Sequence, residues 1–368
     1  MVATGKVIVA LPVKNEEAVI RICLERLRAQ TQKPDVILLL LNNCTDLTLR
    51  ICTAAQRDAP DIRIENYELS GVDASAGEAR RLALGHAMGL ADGLVLTTDA
   101  DALPDHTWIA DNVAQINAGA DVVCGMAEID PADLHQLTDR LISADRRERS
   151  LLKIIDQITS SIDPDPADPW PRHQQNSGAS IAMKSGFLHR IGGAPRVPSG
   201  EDRALIEKLR HVDARIRHAP HIKVIVSGRL EGRAAGGMAE TIRRRLIKAD
   251  EFLDEAIEPV VDVYRRAKAR AALREVRDGQ CSATLFAQDL LIRQDTLHRA
   301  LDSPFFGAAW AEIERESPVL RRRRVPASHL SREARSAQTL LQQIKITRIV
   351  QQPKPRAVFG DFAVGHAP

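Results

Sequence analysis

Across its first 126 residues the chain alternates short, nearly unbroken apolar runs with longer stretches whose apolar positions recur every three or four residues. The runs at 7–11, 36–41, 62–67, 94–98 and 122–126 have the length and the Val, Ile and Leu content of buried strands. Between them lie helical patterns; within 16–30, Ile20, Cys23, Leu24 and Leu27 share one helix face. Strands separated by helices pair in parallel, so the pattern predicts an α/β fold, a doubly wound and mostly parallel sheet with helices on both faces. Ligands of such sheets sit beyond the carboxyl ends of the strands. The polar segments 12–16, 42–46 and 99–101 all fall there.

Further along, "HQQNSGASIAM" at 173–183 reads as a loop entering a short strand. Leu205, Ile206 and Leu209 give the segment after Gly200 helical spacing, and "HIKVIVS" at 221–227 reads as the last core strand. The proline-rich "SSIDPDPADPWPRH" can be neither helix nor central strand, and reads either as a lid over an acceptor or as an inert surface connection. From about Ala249 strand signals vanish and helical periodicity takes over. The expected organisation is an α/β domain over 1–235, divided at about 126/127, then a helical extension over 236–351 and a disordered tail over 352–368.

Composition removes several uses for such a sheet. The 368 residues carry a net charge of +2 and only 3% aromatic side chains, which argues against a nucleic-acid binder. Five cysteines, Cys23, Cys44, Cys52, Cys124 and Cys281, form no CxxC pair, pointing to a reducing compartment and away from structural zinc. The N-terminal apolar run stops at Pro12 and reads as a first strand, not a leader. No apolar run approaches the roughly 18 residues of a spanning helix. A cytoplasmic location is expected, and the basic runs of the extension leave a peripheral contact with an anionic membrane face open. The run "RRRR" at 321–324 has the plainer reading of a solvated surface. Oligomeric state is open.

The candidate chemistry starts at "GLVLTTDADALPD", where a strand ends in Asp99 and Asp101. In an extended chain residues i and i+2 point to one side, so the pair would present two carboxylates together. That is a hard oxygen site suited to Mn²⁺ or Mg²⁺, which takes one or two protein carboxylates and completes its shell with water and substrate phosphate. The structural alternative is that Asp101 or Asp105 caps the following helix. A second acidic pair, Glu201 and Asp202, opens a helix after Gly200, where the helix dipole alone would favour acids.

The order "VALPVKNEE", "LNNCTDLT", "GEARRLALGHA", "LTTDADALPDHTW", "QNSGASIAMKSGFLHRIGG" and "SGEDRAL" resembles glycosyltransferase family 2, nucleotide-diphospho-sugar transferases of the GT-A fold. The resemblance covers roughly residues 5–235. It implies a GT-A-type catalytic domain there, with a nucleotide-sugar-binding half before about residue 126 and an acceptor half after it. By the same resemblance Pro12 and Glu16 border the nucleoside pocket, Asp99 faces the ribose or the metal, and Asp101 is the metal ligand bridging to the donor diphosphate. Leu41 or Asn42 falls where the family commonly places a base-binding aspartate, and the Asn42 amide offers both donor and acceptor. Arg80, in the place of the family's Ala-Arg-Asn arginine, is the candidate contact to base or diphosphate, against an ordinary charged helix face. Asp202 is the implied general base and Glu201 its neighbour in placing the acceptor. Ser177 and Gly178 would let a ligand approach the backbone, and Arg229 and Arg233 could close on the diphosphate.

The expected activity is a metal-dependent glycosyltransferase moving a sugar from a nucleotide-diphosphate sugar to an acceptor hydroxyl, with inversion favoured and no processivity. The processive members' Gln-x-x-Arg-Trp signature is missing. The acceptor, whether saccharide, lipid-linked or a small molecule, is unassigned. The enzyme rival is a sugar-phosphate nucleotidyltransferase, for which the first strand should be followed by a Gly-rich loop, and here it is followed by "PVKNEEA". The other rival is a non-catalytic nucleotide-sugar-binding subunit of a larger assembly.

Overall fold

The computed structural model describes residues 5–351 apart from 91, 198 and 234–236, with the backbone alone at 72 and 348–351. The expected tail at 352–368 and the boundary at 235/236 therefore lie outside the described residues. All five apolar runs form strands in one eight-stranded sheet: β1 (Lys6–Val13), β2 (Val36–Asn42), β3 (Ile62–Tyr67), β4 (Gly93–Thr97), β5 (Leu103–Pro104), β6 (Val122–Ile129), β7 (Ile181–Lys184) and β8 (Ile216–Val226). The order is β3-β2-β1-β4-β7-β6-β8-β5. The first four neighbours are parallel, as are β6 and β8, while β7 runs antiparallel between β4 and β6 and β5 antiparallel to β8. This is the mostly parallel sheet that the strand-helix alternation predicts, and it agrees with the GT-A-type fold that the resemblance implies.

Helices cover both faces: α1 (Ile20–Arg28), α2 (Thr48–Asp58), α3 (Ala76–Leu90), α4 (Trp108–Asn117), α5 (Asp139–Ile162), α6 (Ser185–Arg190) and α7 (Glu201–His211). Successive β1 side chains alternate between two cores. Val7, Val9 and Leu11 pack with Ile20, Leu24 and Leu27 of α1 and Ile109 of α4, whereas Ile8 and Ala10 pack with Ala83 and Leu84 of α3 and Leu205 and Leu209 of α7. Burial on both faces is why these strands read as continuous apolar runs instead of alternating ones.

The remaining helices are α8 (Met238–Ile247), α9 (Val260–Arg277), α10 (Ala283–Asp289), α11 (Gln294–Asp302), α12 (Phe306–Glu316) and α13 (Leu330–Gln351). They are not a separate body. Leu151, Ile155 and Ile158 of α5 share a core with Val260 and Val263 of α9 and with Leu330, Ala337 and Leu341 of α13. Asp213, just past α7, accepts the Phe306 and Gly307 N–H groups at 2.7 and 2.6 Å. A Cβ at Gly307 would overlap the Arg210 carbonyl, so glycine is what permits this docking. No described helix is long and apolar enough to cross a membrane.

Two open readings close here. In the basic run, which is exposed throughout, Arg322 pairs with Glu258 and Glu314, Arg323 pairs with Asp262, and Arg324 stacks over Phe252 at 4.5 Å, so two of the four arginines face solvent while neutralising buried acids. The proline-rich segment is tied down: Arg217 donates to the Pro169 and Pro171 carbonyls at 2.6 and 2.9 Å, and Asp163 receives Arg270 and Arg274 of α9. It is a pinned connection, not a lid.

Candidate active site

The carboxyl ends of β1, β2 and β4 open onto a cavity of about 230 Å³. Its walls include Pro12, Lys14 and Glu16 after β1, Asn42 at the end of β2, Asp99 and Asp101 after β4, Ser177, and Arg229 and Arg233 after β8. The sequence reading brought most of these together; it passed over Lys14, although Lys14 stands between Pro12 and Glu16 in the same quoted stretch. Neither Lys14 nor Arg233 is paired with an acid among the described residues.

Asp99 and Asp101 reach the cavity by a different route from the one expected. The strand ends at Thr97, and the chain then turns, with the Ala102 N–H donating to the Asp99 carbonyl at 3.1 Å. The two carboxylates therefore diverge to different partners. Asp99 Oδ1 receives Arg80 Nη2, while Asp101 Oδ2 lies 3.1 Å from Arg229 Nη2. Neither Asp101 nor Asp105 caps α4, whose N-terminal residue Thr107 makes no capping side-chain bond.

Arg80 is buried, and its guanidinium is fully engaged. Nε donates to Glu201 Oε1 at 3.1 Å, Nη1 to Thr97 Oγ1 at 2.7 Å and to the Gly178 carbonyl at 3.0 Å, and Nη2 to Asp99. Burial works against its charge, yet Asp99 and Glu201 more than offset that and raise its pKa. Arg80 thus ties the β4 end to the start of α7 and to the loop before β7. Arg80 also lines the cavity, so these protein partners lie beside the space where the expected contact to base or diphosphate would form. Arg81, next to it, forms a two-pronged pair with Glu78 on the same helix.

Gly178 has its own reason to be glycine: a Cβ there would stand 2.5 Å from Arg80 Cζ. The close approach seen at Gly178 is that of Arg80. Its N–H donates to Asp202 Oδ2 at 3.1 Å, and Asp202 Oδ1 accepts the Arg203 N–H at 2.7 Å. Gly200, in the left-handed region at φ 69°, sets the start of α7 so that Glu201 and Asp202 face this loop. Asp202 sits behind Ser177 and Gly178 and is not part of the cavity wall. Burial, with Glu201 beside it, raises its pKa above the usual carboxylate value.

On the opposite wall, Arg229 grips Glu16 with both prongs, Nη1 to Oε2 at 2.7 Å and Nη2 to Oε1 at 2.6 Å. The Glu16 N–H is held in turn by Thr48 Oγ1 at 2.8 Å. Burial first, then Asp99, raises the pKa of Asp101 to about 6, with Arg229 pulling the other way. Asp46 accepts the Thr48 N–H at 2.9 Å and so serves the start of α2.

The side chains before Ser177 point inward. Gln174 donates to Asp156, Gln175 accepts the Ala127 N–H, and the carboxamide of Asn176 meets His218 Nε2 at 3.0 Å. His218 in turn bonds Asp168 at 2.8 Å, and His173 packs edge-on against the His218 ring, its pKa pushed down to about 4 by burial and by His218. These residues shape the loop instead of offering groups to an acceptor.

Whether the site suits a divalent cation can be judged from its donors. Glu16, Asp99 and Asp101 are all hard oxygens, and among the described residues no group of three His, Cys, Asp or Glu forms a ready-made cage. That fits Mn²⁺ or Mg²⁺ held by one or two carboxylates and completed by phosphate and water.

Residues 8–165 match the family model described as "Glycosyl transferase family 2". That stretch is a family 2 glycosyltransferase domain, and the chain is an enzyme of the glycosyltransferase class. No curated protein matches the chain in sequence. Among solved structures it is similar to the mannosyltransferase PcManGT of Pyrobaculum calidifontis, crystallised with GDP-Man and Mn²⁺, at 18% identity and TM-score 0.43 over 96% of this chain and 89% of that one. It is also similar to residues 1–349 of S. aureus TarS with UDP-GlcNAc, at 17% identity and TM-score 0.48 over 93% and 92%. A third is the glucosyl-3-phosphoglycerate synthase of Mycobacterium tuberculosis with Mn²⁺, UDP-glucose and phosphoglyceric acid, at 17% identity and TM-score 0.39 over 67% and 82%.

Proposed function

We propose that this glycosyltransferase makes single glycosidic bonds from a nucleotide-diphosphate sugar, with a divalent cation at Asp101, Asp202 as general base, and inversion at the anomeric carbon. The observation that carries the reading is the arrangement of two separate acidic positions across Ser177. Asp101 lines the cavity with Pro12, Glu16, Asn42 and Ser177, while Asp202 accepts the N–H of Gly178, the residue next to Ser177. Pro12, Lys14 and Asn42 form the nucleoside end, and Arg229 and Arg233 stand where a diphosphate would enter. A cation at Asp101 would supply positive charge to the departing diphosphate. Asp202 has each oxygen engaged by one backbone N–H, which fixes its orientation and leaves lone pairs for an acceptor hydroxyl; its raised pKa makes it a stronger base. Action at the cytoplasmic side, on a saccharide, lipid-linked or small-molecule acceptor, belongs to the same proposal.

Asp202→Asn tests it. A positioned base contributes roughly 10²–10⁴-fold, so kcat should fall by about that much while donor Kd stays within about twofold. A loss of donor affinity in step with activity would move Asp202 to the donor side and overturn the assignment. Unchanged turnover per folded molecule would reduce it to a helix-terminal acid.

A further inference from the structure

Asp101 lines the cavity and is the candidate metal carboxylate, yet a cation already stands on it. Arg229 Nη2 lies 3.1 Å from Asp101 Oδ2 while both Arg229 prongs hold Glu16. The backbone carrying Arg229 is fixed: Gly228 N–H donates to Asp133 at 2.7 Å and Arg229 N–H to Ser227 Oγ at 3.2 Å. That leaves the side chain, 28% exposed, to exchange partners.

A guanidinium and a divalent cation compete for the same carboxylate oxygen, because each needs its lone pairs and its charge. The fork of an arginine also matches phosphate oxygens. Glu16 is nearly fully buried and bound through both oxygens, so it keeps Arg229 in the cavity after Asp101 is released. We propose that Arg229 is an exchangeable counter-ion of Asp101: in the free protein it excludes a divalent cation, and it passes its contact to the donor diphosphate while remaining on Glu16. Cation and nucleotide then bind as one coupled event. By linkage, the factor by which nucleotide tightens the cation equals that by which the cation tightens nucleotide. The inference rests on the metal-assisted reading above and adds which residue sets the order.

The test is Mn²⁺ binding, read by electron paramagnetic resonance of free Mn²⁺ and by calorimetry, for wild type and Arg229→Gln, alone and with UDP or GDP. Wild type should bind Mn²⁺ weakly alone and tighter by about tenfold or more with the preferred nucleoside diphosphate. Arg229→Gln should bind Mn²⁺ alone at least about tenfold more tightly than wild type, and the added effect of nucleotide should shrink correspondingly. Adding Asp101→Asn to Arg229→Gln should abolish the gain. Melting temperatures confirm that each variant is folded, and Arg229→Lys, which keeps the charge without the fork, provides a second variant that should stay near wild type for Mn²⁺ alone. Wild type that takes Mn²⁺ with nucleotide, beside an Arg229→Gln protein with no gain alone, overturns the counter-ion proposal only. Absence of Mn²⁺ binding in every case overturns the metal-assisted reading together with it.

Discussion

Replacing Arg80 by methionine removes the group that joins three parts of the site. The side chain is buried, and its loss leaves Glu201, 15% exposed, facing Asp99 without the charge between them, with Thr97 Oγ1 and the Gly178 carbonyl also losing their donor. Breaking a buried pair by removing one partner costs about 3–5 kcal/mol, because the remaining charge is stranded. Asp99 is a third exposed and water relieves part of its share, which places the expected loss at about 3–4 kcal/mol. Against the roughly 5–15 kcal/mol that holds a typical domain, that is a large fraction. Urea unfolding of the purified protein, with equal slopes confirming comparable transitions, measures it. Adding Glu201→Gln removes one stranded charge and should restore about 1–2 kcal/mol, a coupling that independent sites would not show. A loss below about 1 kcal/mol for the single variant, or a double variant weaker than the single one, would refute the clamp.

Two further outcomes follow from local geometry. Gly178→Ala should cost about 2–3 kcal/mol, because its Cβ would meet a guanidinium that four hydrogen bonds hold in place, whereas Gly186→Ala on α6, with nothing within 4 Å, should be neutral or gain up to about 1 kcal/mol; equal melting temperatures for the two would contradict this. Although burial opposes it, the Arg215 and Lys184 donors bring Asp121 from 3.8 down to about 2. A carboxylate depressed on folding stabilises the protein above its unfolded pKa and loses that contribution as pH falls through the folded one. With both partners well exposed, Asp121→Asn should cost about 1–2 kcal/mol at pH 7 and converge on wild type between about pH 4 and pH 2; a difference that stays constant over that interval would show another cause.

The parallel half of the sheet was legible because each strand is buried on both faces and therefore spells itself as an apolar run. Strand β8 was read only from residue 221, five residues late, because its first half is polar and contains Pro220. The structure accommodates that proline where the pairing with β6 slips between Cys124 and Met126, an irregularity that tolerates a missing donor. Helix α5 was missed altogether. It is densely charged, and the apolar residues that cover its inner stripe come from beyond residue 250. The acids of the site were visible as motifs, but their partners were not: Arg80 and Glu201 are 121 residues apart, and Arg229 and Glu16 are 213 apart. Nothing in local spacing specifies such pairs, which is why the internal partners of Arg80 could not be read from the sequence.

Asp99 and Asp101 are the same residue type one alanine apart, and their difference in role comes entirely from the arginine each one meets. Arg80 sits inside the protein, with its donors spent on Asp99, Glu201, Thr97 and Gly178, so releasing Asp99 would strand several buried groups at once. Arg229 stands at the cavity wall, anchored independently by Glu16, so releasing Asp101 costs one contact, which under the exchange proposed above an incoming diphosphate would replace. An acid held by a saturated, buried cation behaves as part of the scaffold. An acid held by an exposed cation with a second anchor is free to change partners. The site can therefore keep both carboxylates neutralised when empty and still offer one of them to an anionic donor, without requiring the β4 turn or the start of α7 to move.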